Sequence, residues 1–281
     1  MRTRFFVSAF SASILFLAVS NVCCGALVAH YTGDGTFNDS SGNDYHGGPT
    51  GNTTFATGVH GQAFSFDGNN DDIRIANSSD LEPAILTVSL WLKIPDTVGI
   101  QRLIIDSSHG FVDQKGWALQ TNPDGSIALV FGDDSTFHVV SSTTLIDDDQ
   151  FHHITGVKDA SNLLIYVDGN LENTLPYTWT AAPSGRTLRI GTSWGGNNLL
   201  QVRDVEGLID DVRIYDNALS QSQVLSLASA VPEPSSTALM LLCGIGTLAY
   251  RRRFPTARSA TDGTNYMPRG QGERPRGVLA N

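Results

Sequence analysis

Thr87-Val88-Ser89-Leu90-Trp91-Leu92-Lys93-Ile94 is the stretch on which the fold turns. Val88, Leu90, Leu92 and Ile94 share one face, while Thr87, Ser89, Trp91 and Lys93 share the other. A period of two marks a β-strand with one side in a core. Working outward, the same pattern predicts strands over Gln62–Phe66, Asp72–Ala76, Arg102–Asp106, Trp117–Thr121, Ile127–Phe131, Phe137–Ser141, Phe151–Val157, Leu163–Val167, Thr187–Gly191 and Leu208–Tyr215. Turn signals punctuate them: Asp67-Gly68-Asn69, Pro123-Asp124-Gly125 and Asp168-Gly169-Asn170. These residues reach left-handed backbone angles or close Asx turns cheaply. The one helix expected is a turn or two at Ser220–Leu227, capped by Ser220. Strands at this spacing predict an all-β antiparallel sandwich or barrel.

Composition narrows the function. Setting aside both ends leaves residues 27–230, about one large domain. Nine basic residues face 25 acidic ones there, a net charge of −16. That surface repels nucleic acid and anionic membranes. Its acids are nearly all Asp; only Glu82, Glu172 and Glu206 are glutamates. Cys23, Cys24 and Cys243 all lie outside the domain, so it can hold neither a disulfide nor a thiolate metal site. A chain of this size folds on its core alone.

Five blocks of this region, in order, resemble a known family. They are Leu27-Val28-Ala29-His30-Tyr31 with Asp39-Ser40-Ser41-Gly42-Asn43 and His46-Gly47; Gly61-Gln62-Ala63-Phe64-Ser65-Phe66-Asp67-Gly68; Phe151-His152-His153-Ile154 leading to Leu164-Ile165-Tyr166-Val167-Asp168-Gly169; Leu188-Arg189-Ile190-Gly191; and Gly207-Leu208-Ile209-Asp210-Asp211-Val212-Arg213-Ile214-Tyr215 with Ala218-Leu219-Ser220. Together they are similar to the laminin-G-like branch of the concanavalin A-like lectin/glucanase jelly rolls. The resemblance implies a β-sandwich displaying loops. Phe151 stands where the family usually has Trp.

The ends read as addresses. Arg2 and Arg4 precede an apolar stretch from Phe5 to Val19, and small residues follow at Cys24-Gly25-Ala26. This predicts a signal peptide over residues 1–26, cut after Ala26. Ser20 and Asn21 stand where a lipoprotein signal places Leu, so lipidation is not expected. At the other end Pro232, Glu233 and Pro234 precede an apolar run from Ser236 to Tyr250, then Arg251, Arg252 and Arg253. The run is shorter than the roughly 20 residues of an ordinary membrane span, and the arginines favour a cytoplasmic side. Residues 231–253 resemble the PEP-CTERM sorting signal of bacterial surface proteins. That resemblance implies export, transient anchoring through residues 236–250, processing by an exosortase-type enzyme and an exopolysaccharide-bearing Gram-negative envelope. Residues 254–281, rich in Gly, Pro and Arg, are expected to be disordered.

Chemistry is the least legible layer. The superfamily's glucanases place carboxylates on one strand as Glu-x-Asp-x-x-Glu, and none of the three glutamates stands in such a pattern. Opposed acids across a bond are what glycoside hydrolysis needs, and Asp210-Asp211 point to opposite faces of a regular strand. No Gly-x-Ser-x-Gly elbow appears. The expectation is therefore a non-catalytic module. His152 and His153, adjacent on a strand, cannot chelate one metal together. A structural calcium site is expected from Asp210, placed inward beside Val212 and Ile214, with Asp34, Asp39 and Asn43 of the first loop. The same residues have a second reading, in which Asp210 caps backbone amides and Asp39 makes an Asx turn before Ser40-Ser41-Gly42. For carbohydrate, Trp117, Tyr177, Trp179 and Trp194 are the stacking candidates, the middle two in a Pro- and Thr-rich insertion from Leu175 to Pro183. Each aromatic is as readily core as ligand contact. The function expected is recognition of carbohydrate or another surface or matrix component; the rival is a structural or protein-interaction module without a sugar site.

Overall fold

The computed structural model describes residues 26–96, 99–107, 114–178, 182–192 and 202–229. Among them the strands are β1 (Leu27–Tyr31), β2 (Gly47–Thr50), β3 (Thr54–Thr57), β4 (Gln62–Asp67), β5 (Asp72–Ile75), β6 (Leu86–Lys93), β7 (Gln101–Asp106), β8 (Trp117–Thr121), β9 (Ser126–Gly132), β10 (Phe137–Leu145), β11 (His152–Lys158), β12 (Asn162–Val167), β13 (Asn170–Pro176), β14 (Leu188–Ile190), β15 (Val202–Arg203) and β16 (Glu206–Tyr215), followed by the helix α1 (Gln221–Ala228). They make two antiparallel sheets. The first runs β13-β12-β11-β6-β16-β4-β3, with β1 also against β16. The second runs β10-β9-β8-β7-β14-β5-β2, with β15 parallel to β7. The expected all-β sandwich is the fold.

The alternation in β6 sets the core. Val88, Leu90 and Leu92 are sealed into one cluster with Ile105, Leu119 and Leu129 of the facing sheet. The sheets approach closely at Gly156 of β11, which pairs with Val88 in its own sheet. A Cβ there would lie 2.9 Å from Leu129 Cδ1 and 3.3 Å from Leu119 Cδ2. The outer face of β6 is buried as well. Thr87 Oγ1 donates to Asn217 O at 2.7 Å and accepts from Leu219 N at 3.0 Å. A second apolar cluster of Val157, Tyr166, Tyr215, Leu219 and Val224 packs α1 and its approach onto that face. The helix starts where expected, with Ser220 and Gln223 closing a capping box.

Edge elements were hidden from pattern reading. β2 is Gly-Gly-Pro-Thr and β13 is Asn-Leu-Glu-Asn-Thr-Leu-Pro, neither with a continuous apolar stripe. Both carry a proline, which suits an edge where the missing N–H is not needed. β13 is the return arm of a two-residue hairpin whose Asp168 and Gly169 have φ of 50° and 78°, the geometry Asp-Gly favours. The insertion expected to begin at Leu175 is thus still strand through Pro176. β13 also fastens the open side of the sandwich. Glu172 accepts from Thr143 N, Thr144 N and both threonine hydroxyls of β10, and Asn173 Nδ2 donates to Ser141 O.

The close approach at Gly156 gives a quantitative expectation. Gly156→Val should cost about 1–3 kcal/mol by forcing the facing leucines apart, read as a fall in the urea midpoint. An unchanged midpoint would show that the sheets are not in contact there.

Candidate functional site

The expected cation ligands are drawn into hydrogen bonds instead. Asp39 Oδ1 accepts from His30 N at 2.9 Å and Ser41 N at 2.8 Å; Oδ2 accepts from Ser41 Oγ at 2.8 Å and Tyr45 N at 3.1 Å. Burial works to raise this carboxyl's pKa, but the four donors outweigh it and hold it below the ordinary value. Asn43 Nδ2 donates to Leu27 O and Val28 O, which ties the same loop to β1. Asp34 Oδ1 accepts from Gln62 N at 2.8 Å. Asp210 Oδ2 accepts from Val59 N at 2.8 Å and His60 N at 2.9 Å. Asp34 and Asp210 therefore hold the two ends of one turn, while Asp39 and Asn43 brace another. Among the described residues no group of three His, Cys, Asp or Glu side chains gathers as a metal would require. These four residues do not fit a calcium cage, and the capping reading of Asp39 and Asp210 is the one their contacts display.

Asp210 also faces the opposite way from that expected. In β16, Asp210 pairs with Trp91 but Arg213 pairs with Ser89, so three steps on one strand match two on the other. This is a β-bulge, with Asp211 at φ 51°. The extra residue lets Ile209 and Val212 both enter the core. Asp210 then lies outside, on the Trp91 side, and the strand is irregular where regular alternation had been assumed. Asp211 accepts from His30 Nε2 at 2.7 Å and Arg213 Nε at 3.0 Å.

A row results across the outer face of the first sheet: Asp210, Trp91 and His153, on β16, β6 and β11. Trp91 lies 5.1 Å from the His153 ring, edge to face, and 6.3 Å from His60. His153 is 1% exposed, and burial lowers its pKa to about 4, keeping the ring neutral. Its neighbour His152, on the opposite face as alternation requires, bridges Asp168 at 2.8 Å and Asp148 at 3.3 Å, and the bond to Asp168 raises its pKa. Sequence reasoning could not assemble this row, because the bulge changes the phase of β16 and His60 arrives from a turn.

The aromatic candidates divide. Trp117 is core, 1% exposed, with Nε1 donating to Leu81 O at 3.0 Å. Tyr177 is fully buried, with His138 against its ring at 4.9 Å and Lys158 Nζ 5.1 Å above it. Neither can stack on a sugar, which corrects the expectation for both. Trp179 and Trp194 lie outside the described residues, as do Pro232, Glu233, Pro234, Arg251, Arg252 and Arg253. No helix among the described residues is long and apolar enough to cross a membrane, and residues 236–250 fall outside them. The three glutamates are far apart in role. Glu82 accepts from Ser184 N and Oγ and from Gly185 N, Glu172 braces β10, and Glu206 approaches Arg102 at 3.5 Å.

One depression has the make-up of a small polar ligand site. It measures about 350 Å³ and is lined by Leu27, Asn43, Tyr45, Ser79, Asp80 and Asp216 among others. Tyr45 Oη donates to Asp80 Oδ2 at 2.6 Å, which fixes the ring at its edge. An aromatic, an amide, a hydroxyl and two carboxylates are the groups that read sugar hydroxyls. They come from three separate segments, and no local motif announces them.

Asp210 supplies a test of this geometry. Burial pushes its carboxyl from 3.8 up to about 6, with the Val59 and His60 amides opposing and Asp211 adding to the rise. The fold therefore favours the acid form. That contribution is whole below the unfolded value and is lost as the pH rises through about 6. Asp210→Asn keeps an acceptor for both amides and removes the titration, so at pH 8 it should be at least as stable as the parent. Asp210→Ala should lose about 1–3 kcal/mol by orphaning the two amides. Equal losses for Asn and Ala in urea denaturation would refute the capping role.

Comparison with known proteins places these features. Residues 67–225, more than half of the chain, match the Laminin_G_3 family model of the concanavalin A-like lectin/glucanases superfamily. Residues 230–253 match the PEP-CTERM protein-sorting motif, a signal of export and C-terminal membrane anchoring. No curated protein matches the sequence. Domain 4 of AbnA, a GH43 extracellular arabinanase from Geobacillus stearothermophilus solved with arabinotriose, superposes with a TM-score of 0.60 at 23% identity, over 73% of this chain and 99% of that one. A structure of botulinum neurotoxin type C, whose cell entry is dependent on interaction with two ganglioside molecules, gives 0.58 at 14% identity over 73% and 51%. The binding domain of botulinum neurotoxin DC in complex with rat synaptotagmin II gives 0.58 at 16% identity, again over 73% and 51%. The chain thus spans about half the length of the toxin chains and nearly all of the arabinanase domain. The family match and the paired antiparallel sheets agree: the chain belongs to the Laminin_G_3 family of the concanavalin A-like lectin/glucanases superfamily.

Proposed function

We propose that the chain is an exported, non-catalytic binding module that recognises carbohydrate or another cell-surface or matrix component. The observation that carries this reading is the pairing of a concanavalin A-like sandwich with a C-terminal sorting motif. The depression beside Tyr45, Asp80 and Asp216 supports a site for a polyhydroxylated ligand, and Trp179 and Trp194 are proposed as stacking residues. Commitment of all three glutamates to bracing contacts favours recognition over bond cleavage. Export through the predicted signal peptide and processing by an exosortase-type enzyme complete the proposal.

A second reading is a structural or protein-interaction module without a sugar site. It is favoured by one observation, that a structural neighbour binds a protein, synaptotagmin II. A glycan array probed with the purified full chain separates the two. Discrete hits, weakened by Asp80→Asn or Asp216→Asn, are expected; silence across the array favours the structural module. Turnover of any bound polysaccharide, abolished by a carboxylate substitution, would replace both readings with a hydrolase. The array run in calcium and in a chelator tests the ion. The bonding of Asp34, Asp39, Asn43 and Asp210 supports equal binding in the two. A rise in melting temperature with millimolar calcium would instead reveal preferential binding to the native form.

A further inference from the structure

The outer face of the second sheet carries an arginine–aspartate ladder that the proposed site does not use. Arg74 on β5 stands directly opposite Arg189 on β14, which stands opposite Asp106 on β7. Asp72 lies two residues before Arg74, on the same face, and is 1% exposed. It takes Arg74 Nε at 2.9 Å and Arg189 Nη1 at 3.4 Å. Burial lowers the pKa of Arg189; Asp72 and Asp106 oppose the drop and Arg74 and Arg186 add to it. The residue facing Arg74 from β2 is Gly48, which raises no side chain beside it. The Arg74 side chain is accordingly 50% exposed above a sealed Asp72.

Charge makes the patch unusual. Residues 27–230 carry nine basic side chains and a net −16. Two of the nine, Arg74 and Arg189, meet here across Asp72. Asp72 engages Nε of Arg74, leaving its two terminal nitrogens for a ligand. A guanidinium fork matches a carboxylate with two parallel bonds. The acidic remainder of the domain repels a long polyanion, whereas the half-exposed Arg74 fork can take a single carboxylate.

We propose that this ladder binds the carboxylate of an acidic sugar, a uronic acid or similar residue set in an otherwise neutral glycan. Arg74 is the reading side chain, and Asp72 orients it. The inference rests on the chain being a carbohydrate-binding module.

Isothermal titration of the full chain tests it with three probes: a neutral oligosaccharide carrying one uronate, the same oligosaccharide with the carboxyl reduced to the alcohol, and a long polyuronate. The uronate probe is expected to bind best, and carboxyl reduction to weaken binding about tenfold or more, the size of a lost charge-assisted contact. Arg74→Gln should lose that preference, and Arg74→Lys should fall between. Equal affinity for the uronate and reduced probes, or an intact preference in Arg74→Gln, overturns the ladder as a carboxylate site while the binding-module reading stands. The first comparison uses the parent chain alone and so does not depend on any variant folding. Binding to none of the probes or any other glycan overturns both.

Discussion

Val88, Leu90 and Leu92 lie in the layer between the sheets, and Thr87, Ser89 and Trp91 on the other side of the same strand are buried too. A strand covered on both faces leaves its backbone polar groups only the two edges for partners. β11 and β16 supply them, residue by residue. That requirement fixes the centre of the first sheet. It brings the end of the domain beside its middle and draws in the short helix that covers the outer face.

How much of this was legible depends on burial. β6, β8, β9 and β12 advertise themselves because one side must be apolar, and the Asp-Gly of the β12–β13 turn predicts its own backbone angles. β2, β3 and β13 do not, because an edge strand with modest burial places few demands on its side chains. The bulge at Asp210-Asp211 is the costliest omission. Its signal is only an aspartate pair inside an otherwise alternating run, and it reverses the direction of every residue before Val212. The candidate site was less legible still. A buried Trp117 and a ligand-binding tryptophan are the same letter, and the depression at Tyr45 and Asp80 is assembled from segments far apart in the chain.

The abundance of aspartate has a physical reading that differs from the first impression. Among the described residues, seven non-glycine positions have positive φ, and five of them are Asp44, Asp134, Asp149, Asp168 and Asp211. Others, such as Asp39, Asp124, Asp133 and Asp159, accept backbone amides two residues onward. Short acidic side chains serve turns well because they tolerate the left-handed region and hydrogen-bond locally. Much of the negative charge is thus a by-product of joining many strands with tight connections. An aspartate count is a weak guide to cations in such a fold, and two arginines facing each other across strands stand out against it.

The brace between Glu172 and β10 bears on how such molecules behave when crowded together. Thr143, Thr144 and Ser141 have backbone groups occupied by side chains of the neighbouring strand, so this margin offers a foreign chain no ladder to extend. Copies gathered at high density would not fuse into a continuous sheet across this margin. A network that uses this side of the molecule would have to be built through loops or shared ligands, and it would come apart when those links were competed away.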